Sequence, residues 1–168
     1  LESLYEKDEI RSMIYSIIEH FTGYDLMKIL TYKDELKVSE SELLKINFAI
    51  KDLKKERPLQ QILGYCDFLD VRIEVNQHVL IPRVETEEIV QRVIKENKGI
   101  KNLKIADVCC GSGCIAIALK KAFPDANIYA YDISEEALKK SKENAEKNKE
   151  KINFFKENIL KSKEKNQE

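Results

Sequence analysis

The sequence is poor in the residues that mark several large classes of protein. It has 5 glycines and 3 prolines among 168 residues, while 43% of its residues are hydrophobic. These proportions exclude a collagen-like or low-complexity chain and predict a globular fold with a buried core. No run approaches 18 apolar residues and the N-terminus lacks a signal-peptide pattern. We therefore predict no membrane span, no secretion and a cytoplasmic location.

The sequence also lacks an excess of charge of either sign. Its 29 lysines and arginines balance 30 aspartates and glutamates, which leaves a net charge of -1. A chain that is close to neutral has no bulk attraction for a phosphate backbone. We therefore predict no direct binding to nucleic acid.

The arrangement of the few cysteines is not that of a disulfide framework or a metal site. The four cysteines are Cys66, Cys109, Cys110 and Cys114. Three of them lie together in an apolar segment, which is typical of buried thiols in a reducing compartment. Zinc sites usually combine Cys-x2-Cys pairs from two places in the chain. We predict that the protein holds no metal.

Residues 1–63 are predicted to form a helical unit. From Ile10 to Phe21 the apolar residues recur at the spacing of one helical face, which predicts a helix over about residues 2–20. Ser39 and Glu42 have the spacing of a capping box and open a second long helix. The residues predicted to point inward on that helix are Leu43, Ile46, Ile50 and Leu53.

From Gly64 the period of the apolar residues changes to two. Val71, Ile73 and Val75 alternate with polar residues, and an apolar run at 79–81 follows. This pattern predicts a β-hairpin that connects two domains over residues 64–82. The helical period returns over residues 85–97.

The rest of the chain alternates between strand and helix patterns. Strands are predicted at 103–109, 127–132 and 152–156, with helices at 114–123 and 135–147. This alternation is typical of a parallel sheet with right-handed crossovers. We predict an α/β protein in which the helical bundle and the hairpin connector precede the first half of a Rossmann-like domain, over residues 83–168.

The turn between the first predicted strand and its helix carries the strongest functional signal. Gly111 and Gly113 follow the strand that contains Asp107, and the helix starts directly after them. Glycines let a ligand approach the backbone, and a helix N-terminus offers N–H groups and a positive dipole end. Asp132 ends the next strand, where a carboxylate can accept hydrogen bonds from both hydroxyls of a ribose. The sequence therefore predicts a nucleotide-type site.

Two ligands fit this pattern. The spacing Gly111-x-Gly113-x-x-Ala116 matches the dinucleotide fingerprint, so an NAD-binding Rossmann protein is one interpretation. Asp107 favours the other, because a carboxylate there can receive an ammonium group, which S-adenosylmethionine carries and a dinucleotide lacks. We therefore predict S-adenosylmethionine as the cofactor.

Several motifs together resemble the release-factor glutamine methyltransferases, over about residues 57–160. Pro82-Arg83-x-Glu85-Thr86 is the motif that separates this family from other class I methyltransferases. The other matching segments are Arg57–Gly64, Phe68, Asp107–Leu119, Asp132–Ala137 and Glu143–Ala145.

The resemblance implies a role for each candidate site residue. Asp107 is expected to hold the amino group of S-adenosylmethionine and Asp132 its ribose. The residues expected to line the methionine and ribose are Cys109, Cys110, Gly111, Ser112 and Gly113. Asn158 is expected either to face the adenine amine, with Ile159 beside the ring, or to be an ordinary turn residue. Arg83 and Glu85 are expected to form part of the site wall.

The implied activity is methylation of a glutamine side-chain amide nitrogen in a peptide-chain release factor. The resemblance makes the helical unit the release-factor-binding domain of a monomeric enzyme. Two alternatives remain beside this interpretation and the NAD-binding protein: an amino-methyltransferase that acts on nucleic acid, and a release-factor-binding module without catalysis.

The sequence departs from the family pattern at three points. Cys109 stands where the family usually has glycine, which keeps the turn only if that backbone needs no positive φ. Val84 stands where the family usually has proline. The Asn-Pro-Pro-Tyr motif, which orients the acceptor amide, does not occur, so no residue is predicted to be catalytic. Because the chain starts at Leu1 and ends in a polar stretch, 161–168, we expect a fragment that by itself transfers no methyl group.

Overall fold

A computed structural model describes residues 1–32 and 35–161 of the chain. The chain divides into two compact units, Leu1–Leu63 and Gly64–Glu168. From residue 162 onward, the polar stretch predicted at 161–168 lies outside the described residues. Across the described ranges, no helix is both long and apolar enough to cross a membrane.

The first unit is helical. Its elements are α1 Lys7–Thr22, α2 Leu26–Thr31, α3 Glu40–Leu53 and α4 Leu59–Leu63. α1 begins at Lys7 rather than near residue 2, because the N–H groups of Leu4 and Tyr5 bond the first carbonyl of the chain and form a separate turn. α1 ends at Gly23, whose left-handed φ of 70° closes the helix.

α3 starts with the predicted capping box. The Ser39 N–H donates to the Glu42 carboxylate at 2.7 Å, and the Ser39 hydroxyl accepts from the Glu42 N–H at 3.3 Å. The prediction that Leu43 points inward is wrong, because Leu43 is 53% exposed. The buried stripe of α3 contains Ile46 and Ala49, which leaves Leu43 at its rim.

The predicted hairpin is present, but with different strands. β1 Tyr65–Phe68 pairs antiparallel with β2 Val71–Glu74. The apolar run at 79–81, within the segment predicted as the hairpin connector, forms no strand. The partner of β2 precedes it, because a two-residue turn between Phe68 and Val71 brings β1 back onto β2. Val79 instead contributes its side chain to the buried core.

The remainder of the second unit alternates as predicted. Its elements are α5 Val84–Glu96, β3 Lys104–Val108, α6 Cys114–Ala122, β4 Asn127–Asp132, α7 Glu135–Lys147 and β5 Asn153–Lys156. The strands form a parallel sheet in the order β3-β4-β5, so the α/β fold class is confirmed. Ile117 on α6 and Ile128 on β4 are fully buried in the core of this unit. The parallel register places the carboxyl ends of the strands, with Asp107 and Asp132, at one edge of the sheet.

Candidate ligand-binding site

The glycine-rich turn between β3 and α6 is built from residues with left-handed backbone. Cys109, Gly111 and Gly113 have φ values of 63°, 54° and 80°. A Cβ on Gly113 would lie 2.9 Å from the Cβ of Ser141 on α7, a separation that real Cβ atoms do not reach. Gly113 is therefore required both for its conformation and for the close approach of α7.

The carboxylate of Asp132 holds this turn in place. One oxygen accepts the N–H of Gly111 at 2.8 Å, and the other accepts the N–H of Ser134 at 2.9 Å. The cap of α7 is Ser134, whose hydroxyl accepts the N–H of Ala137 at 3.1 Å. The role of Asp132 is therefore to fix the turn rather than to cap the helix, and its two oxygens keep further acceptor capacity.

Asp107 lies beneath the turn and is 7% exposed. Its carboxylate accepts the N–H of Ala116, in the first turn of α6, at 3.1 Å. Burial raises the pKa of Asp107 to about 6, and the charge of Asp132 acts in the same direction, whereas the Ala116 N–H opposes them. The ionised form of Asp107 is therefore costly until a cation neutralises it.

The charges of this site favour a cationic ligand over a phosphate. Both carboxylates, Asp107 and Asp132, border the turn, and they already accept the N–H groups of Gly111 and Ala116. A dinucleotide would bring further negative charge to this region. S-adenosylmethionine carries an ammonium and a sulfonium group, so its charge matches the residues present.

Cys109 stands where a cysteine is tolerated only if the backbone needs no positive φ, and this condition is not met. Its φ of 63° lies in the left-handed region, and its side chain is exposed. A residue with a Cβ costs about 1–2 kcal/mol in that conformation, so the turn is strained relative to one with glycine.

The other thiols of the site are buried and unreactive. Burial raises the pKa of Cys110 to about 12 and that of Cys114 to about 11, so both remain protonated at neutral pH. Over residues 1–32 and 35–161, no cluster of histidine, cysteine and carboxylate side chains could hold a metal ion.

Asn158 and Ile159 follow β5, at the same edge of the sheet. The N–H of Glu157 donates to the carbonyl of Asp132 at 3.0 Å, which brings this segment beside β4. The side chain of Asn158 accepts the N–H of Leu160 at 3.1 Å, the arrangement of an ordinary turn residue. Ile159 is 46% exposed at that edge.

Arg83 and Glu85 lie at the start of α5, and both are exposed. Within the described part of the chain, no ion pair joins them and neither side chain bonds the turn. Val84 is the first helical residue and is 70% exposed. Proline is favoured at this helical position, so valine gives up a pre-organised start to α5.

Asn144 on α7 is a site residue to which the sequence assigned no role. Its side chain is fully buried and donates to the carbonyl of Ser112, inside the glycine-rich turn, at 2.9 Å. The signal that points to it is an amide in an otherwise small or apolar helical stripe. That stripe consists of Ala137, Leu138, Ser141, Asn144 and Ala145.

Comparison with known proteins defines the class to which this site belongs. Residues 85–168 match the family described as methyltransferase small domain. This match covers half of the chain, so the chain belongs to this family. The class is therefore that of the methyltransferases.

Several curated proteins that are similar to this chain share a name more specific than that of the family. A release factor glutamine methyltransferase from Flavobacterium psychrophilum is 41% identical over 172 residues, which cover 100% of this chain and 60% of that protein. The one from Bacteroides thetaiotaomicron is 36% identical over 160 residues, covering 95% of this chain and 56% of that protein. The chain thus spans somewhat over half the length of these relatives.

A solved structure, the ribosomal protein L11 methylase from Lactobacillus delbrueckii subsp. bulgaricus, is 34% identical with a TM-score of 0.41. Its match covers 48% of this chain and 41% of that chain. Because this superposition spans less than half of either chain, the family assignment rests on the sequence comparisons.

Proposed function

We propose that this chain binds S-adenosylmethionine and that its protein transfers the methyl group to a glutamine side-chain amide in a peptide-chain release factor. The observation that carries the proposal is the pair of carboxylates, Asp107 and Asp132, on either side of the glycine-rich turn. The similarity to curated release factor glutamine methyltransferases, which extends over the whole chain, supports the choice of acceptor.

The proposed binding mode assigns each part of the cofactor to one feature of the turn. The ammonium group binds the buried carboxylate of Asp107, whose ionised form it stabilises. The methionine and ribose lie along residues 109–113, and the ribose hydroxyls donate to the remaining acceptor capacity of Asp132. Asn158 and Ile159, at the end of β5, border the adenine.

The acceptor assignment places the release factor against the helical unit. Large apolar side chains on α2 and α3 are exposed there, as an interface for a protein partner requires; they are Met27, Leu30, Leu44 and Phe48. The net charge of -1 supports a protein partner rather than nucleic acid. All four cysteines are free, which agrees with the reducing cytoplasm that we propose for a monomeric enzyme.

Calorimetric titration of the chain with S-adenosylmethionine and with NAD tests the cofactor. We expect binding of S-adenosylmethionine only, and Asp132→Ala should weaken it at least about tenfold, because charge-assisted hydrogen bonds are lost. Asp125→Ala is the matched control, since this exposed carboxylate precedes β4 at the opposite end of the strand. Tighter binding of NAD would overturn the assignment.

Transfer of a tritiated methyl group to purified release factor, with the natural gene product as enzyme, tests the acceptor. We expect label on a single glutamine, located by mass spectrometry, and none on a release factor in which that glutamine is alanine. Label on nucleic acid instead would favour the alternative amino-methyltransferase.

A further inference from the structure

Asn144 connects three separate parts of the second unit. Its Oδ1 accepts the N–H of Glu74 at 2.8 Å, and its Nδ2 donates to the carbonyl of Glu74 at 3.0 Å. The same Nδ2 donates to the carbonyl of Ser112 at 2.9 Å. One fully buried amide on α7 therefore bonds both the hairpin strand β2 and the glycine-rich turn.

These bonds fix the peptide between Ser112 and Gly113 at both of its ends. The carbonyl of Ser112 accepts from Asn144, and the N–H of Gly113 donates to the carbonyl of Cys110 at 2.8 Å. The remaining bonds of Asn144 pair with both backbone groups of Glu74, as a neighbouring strand would. A shift of β2 therefore acts on the turn through a single side chain.

We infer that Asn144 is a positioning residue that sets the cofactor-binding conformation of the glycine-rich turn and couples it to the hairpin. The inference rests on the proposed function, since the turn is there the cofactor site. Asn144 does not itself contact the ligand in this proposal. Its effect arises because a buried carbonyl without a donor must move or find another partner, and either change reorients the turn.

Asn148 provides a matched control on the same helix. Its Nδ2 donates to the carbonyl of Arg72 on β2 at 2.9 Å, one turn further along α7, and does not bond the turn. Asn144→Ala and Asn148→Ala therefore each remove a side-chain amide that joins α7 to β2. Asn144→Asp is a second variant, because it keeps an acceptor for the Glu74 N–H while removing both donated bonds.

The first experiment measures the Kd for S-adenosylmethionine of the three variants at a temperature where each is folded by circular dichroism. We expect Asn144→Ala and Asn144→Asp to raise the Kd about tenfold or more, and Asn148→Ala to change it less than about threefold. Equal effects of Asn144→Ala and Asn148→Ala would overturn the inference. If the unsubstituted chain binds no S-adenosylmethionine, the proposed function fails instead.

Amide measurements test the same inference without a binding assay. In the absence of ligand, we expect Asn144→Ala to shift the amide resonances of Gly111 and Gly113, and Asn148→Ala to leave them in place. In the unsubstituted chain, the cofactor should slow hydrogen exchange of the Glu74 amide more than that of Val75, whose N–H bonds the carbonyl of Gly64. Unshifted glycine resonances in Asn144→Ala would contradict the positioning role even if the variant binds weakly.

Discussion

The two units of the chain are stabilised in different ways. The helical unit packs a small apolar core and leaves large apolar side chains of α2 and α3 exposed. The second unit packs a larger core and adds buried polar side chains that bond the backbone of other elements. Those side chains are Asp107 and Asn144, with the half-buried Asp132 beside them. The difference indicates a fixed site geometry in the second unit, in contrast to the recognition surface that we propose for the first.

The two units differ because hydrogen bonds depend on the direction of their groups, whereas apolar contacts do not. Apolar burial stabilises a fold without specifying angles, whereas a buried hydrogen bond is lost when its groups move. The second unit adds an ion network in which Glu74 on β2 pairs with Lys140 and Lys147 on α7. These lysines lower the pKa of Glu74, which therefore remains ionised and holds the hairpin against α7.

Truncation of one fully buried isoleucine in each unit should have the largest effect. Ile17 belongs to the helical core and Ile117 to the core of the second unit. Each change to alanine should cost about 2–5 kcal/mol of stability, because buried methyl groups are lost and a cavity is left. Amide hydrogen exchange should show lost protection in α1 and α3 for Ile17→Ala, and in β4 and α6 for Ile117→Ala.

The comparison fails if both variants lose protection across the same residues, since the two cores would then form one cooperative unit. Phe48→Ala is a control in the helical unit. That side chain is 57% exposed, so its loss should cost well under about 1 kcal/mol.

Gly113→Ala should have the next largest effect, confined to the second unit. The substitution forces a Cβ into the left-handed region and against Ser141, which together should cost about 2–4 kcal/mol. Gly99→Ala is the matched control, because Gly99 has a φ of 87° and nothing within 4 Å of its would-be Cβ. Urea unfolding of both variants separates the two contributions, because Gly99→Ala introduces backbone strain without a steric contact. Equal losses of stability would show that the close approach of α7 adds no cost.

Sequence patterns predicted most of the fold, because its elements are strongly periodic. β4 and α7 have the predicted boundaries, and the parallel order follows from strand and helix alternation. The apolar periodicity did not determine which of two short apolar runs pairs with β2. Residues 65–68, rather than 79–81, pair with β2, because the tighter turn brings them nearer in the chain.

Sequence patterns could predict which residues meet at the glycine-rich turn where one residue type at one position suffices, as for Asp107, Asp132 and the two glycines. They could not predict a contact that depends on how α7 packs. The bond from Asn144 to Ser112 joins residues 32 apart in the sequence. The positive φ at Cys109 likewise belongs to the turn as a whole, and cysteine itself gives no sign of it.

Acid pH should act in opposite directions on Asp107 in the second unit and Glu42 in the first. The pKa of the Asp107 carboxyl is raised to about 6, above its ordinary value of about 3.9. Unfolding therefore releases its proton between about pH 4 and 6, and the second unit should lose up to about 3 kcal/mol as the pH rises through this window. The pKa of Glu42 is instead lowered by the Ser39 hydroxyl, so its contribution to α3 is present at neutral pH and is lost as acid protonates the carboxylate.

Urea unfolding at a series of pH values measures this difference. Asp107→Asn should flatten the dependence between pH 4 and 6 in the second unit. The same substitution should abolish any gain in affinity for S-adenosylmethionine as the pH rises through 6, because the ammonium group requires the charged carboxylate. A pH dependence that survives in Asp107→Asn would assign the titration to another group.

Removal of matched helix caps should give the smallest effects. Ser39 caps α3 and Ser134 caps α7, each by accepting a backbone N–H. Either change to alanine should cost about 1 kcal/mol. Ser134 lies two residues after Asp132, whose carboxylate fixes the glycine-rich turn. Ser134→Ala should therefore also weaken S-adenosylmethionine binding slightly. Ser39→Ala should leave the Kd unchanged. If Ser39→Ala altered the Kd as much as Ser134→Ala does, the geometry of the site would depend on the helical unit too, and the contrast between surface and site would have to be given up.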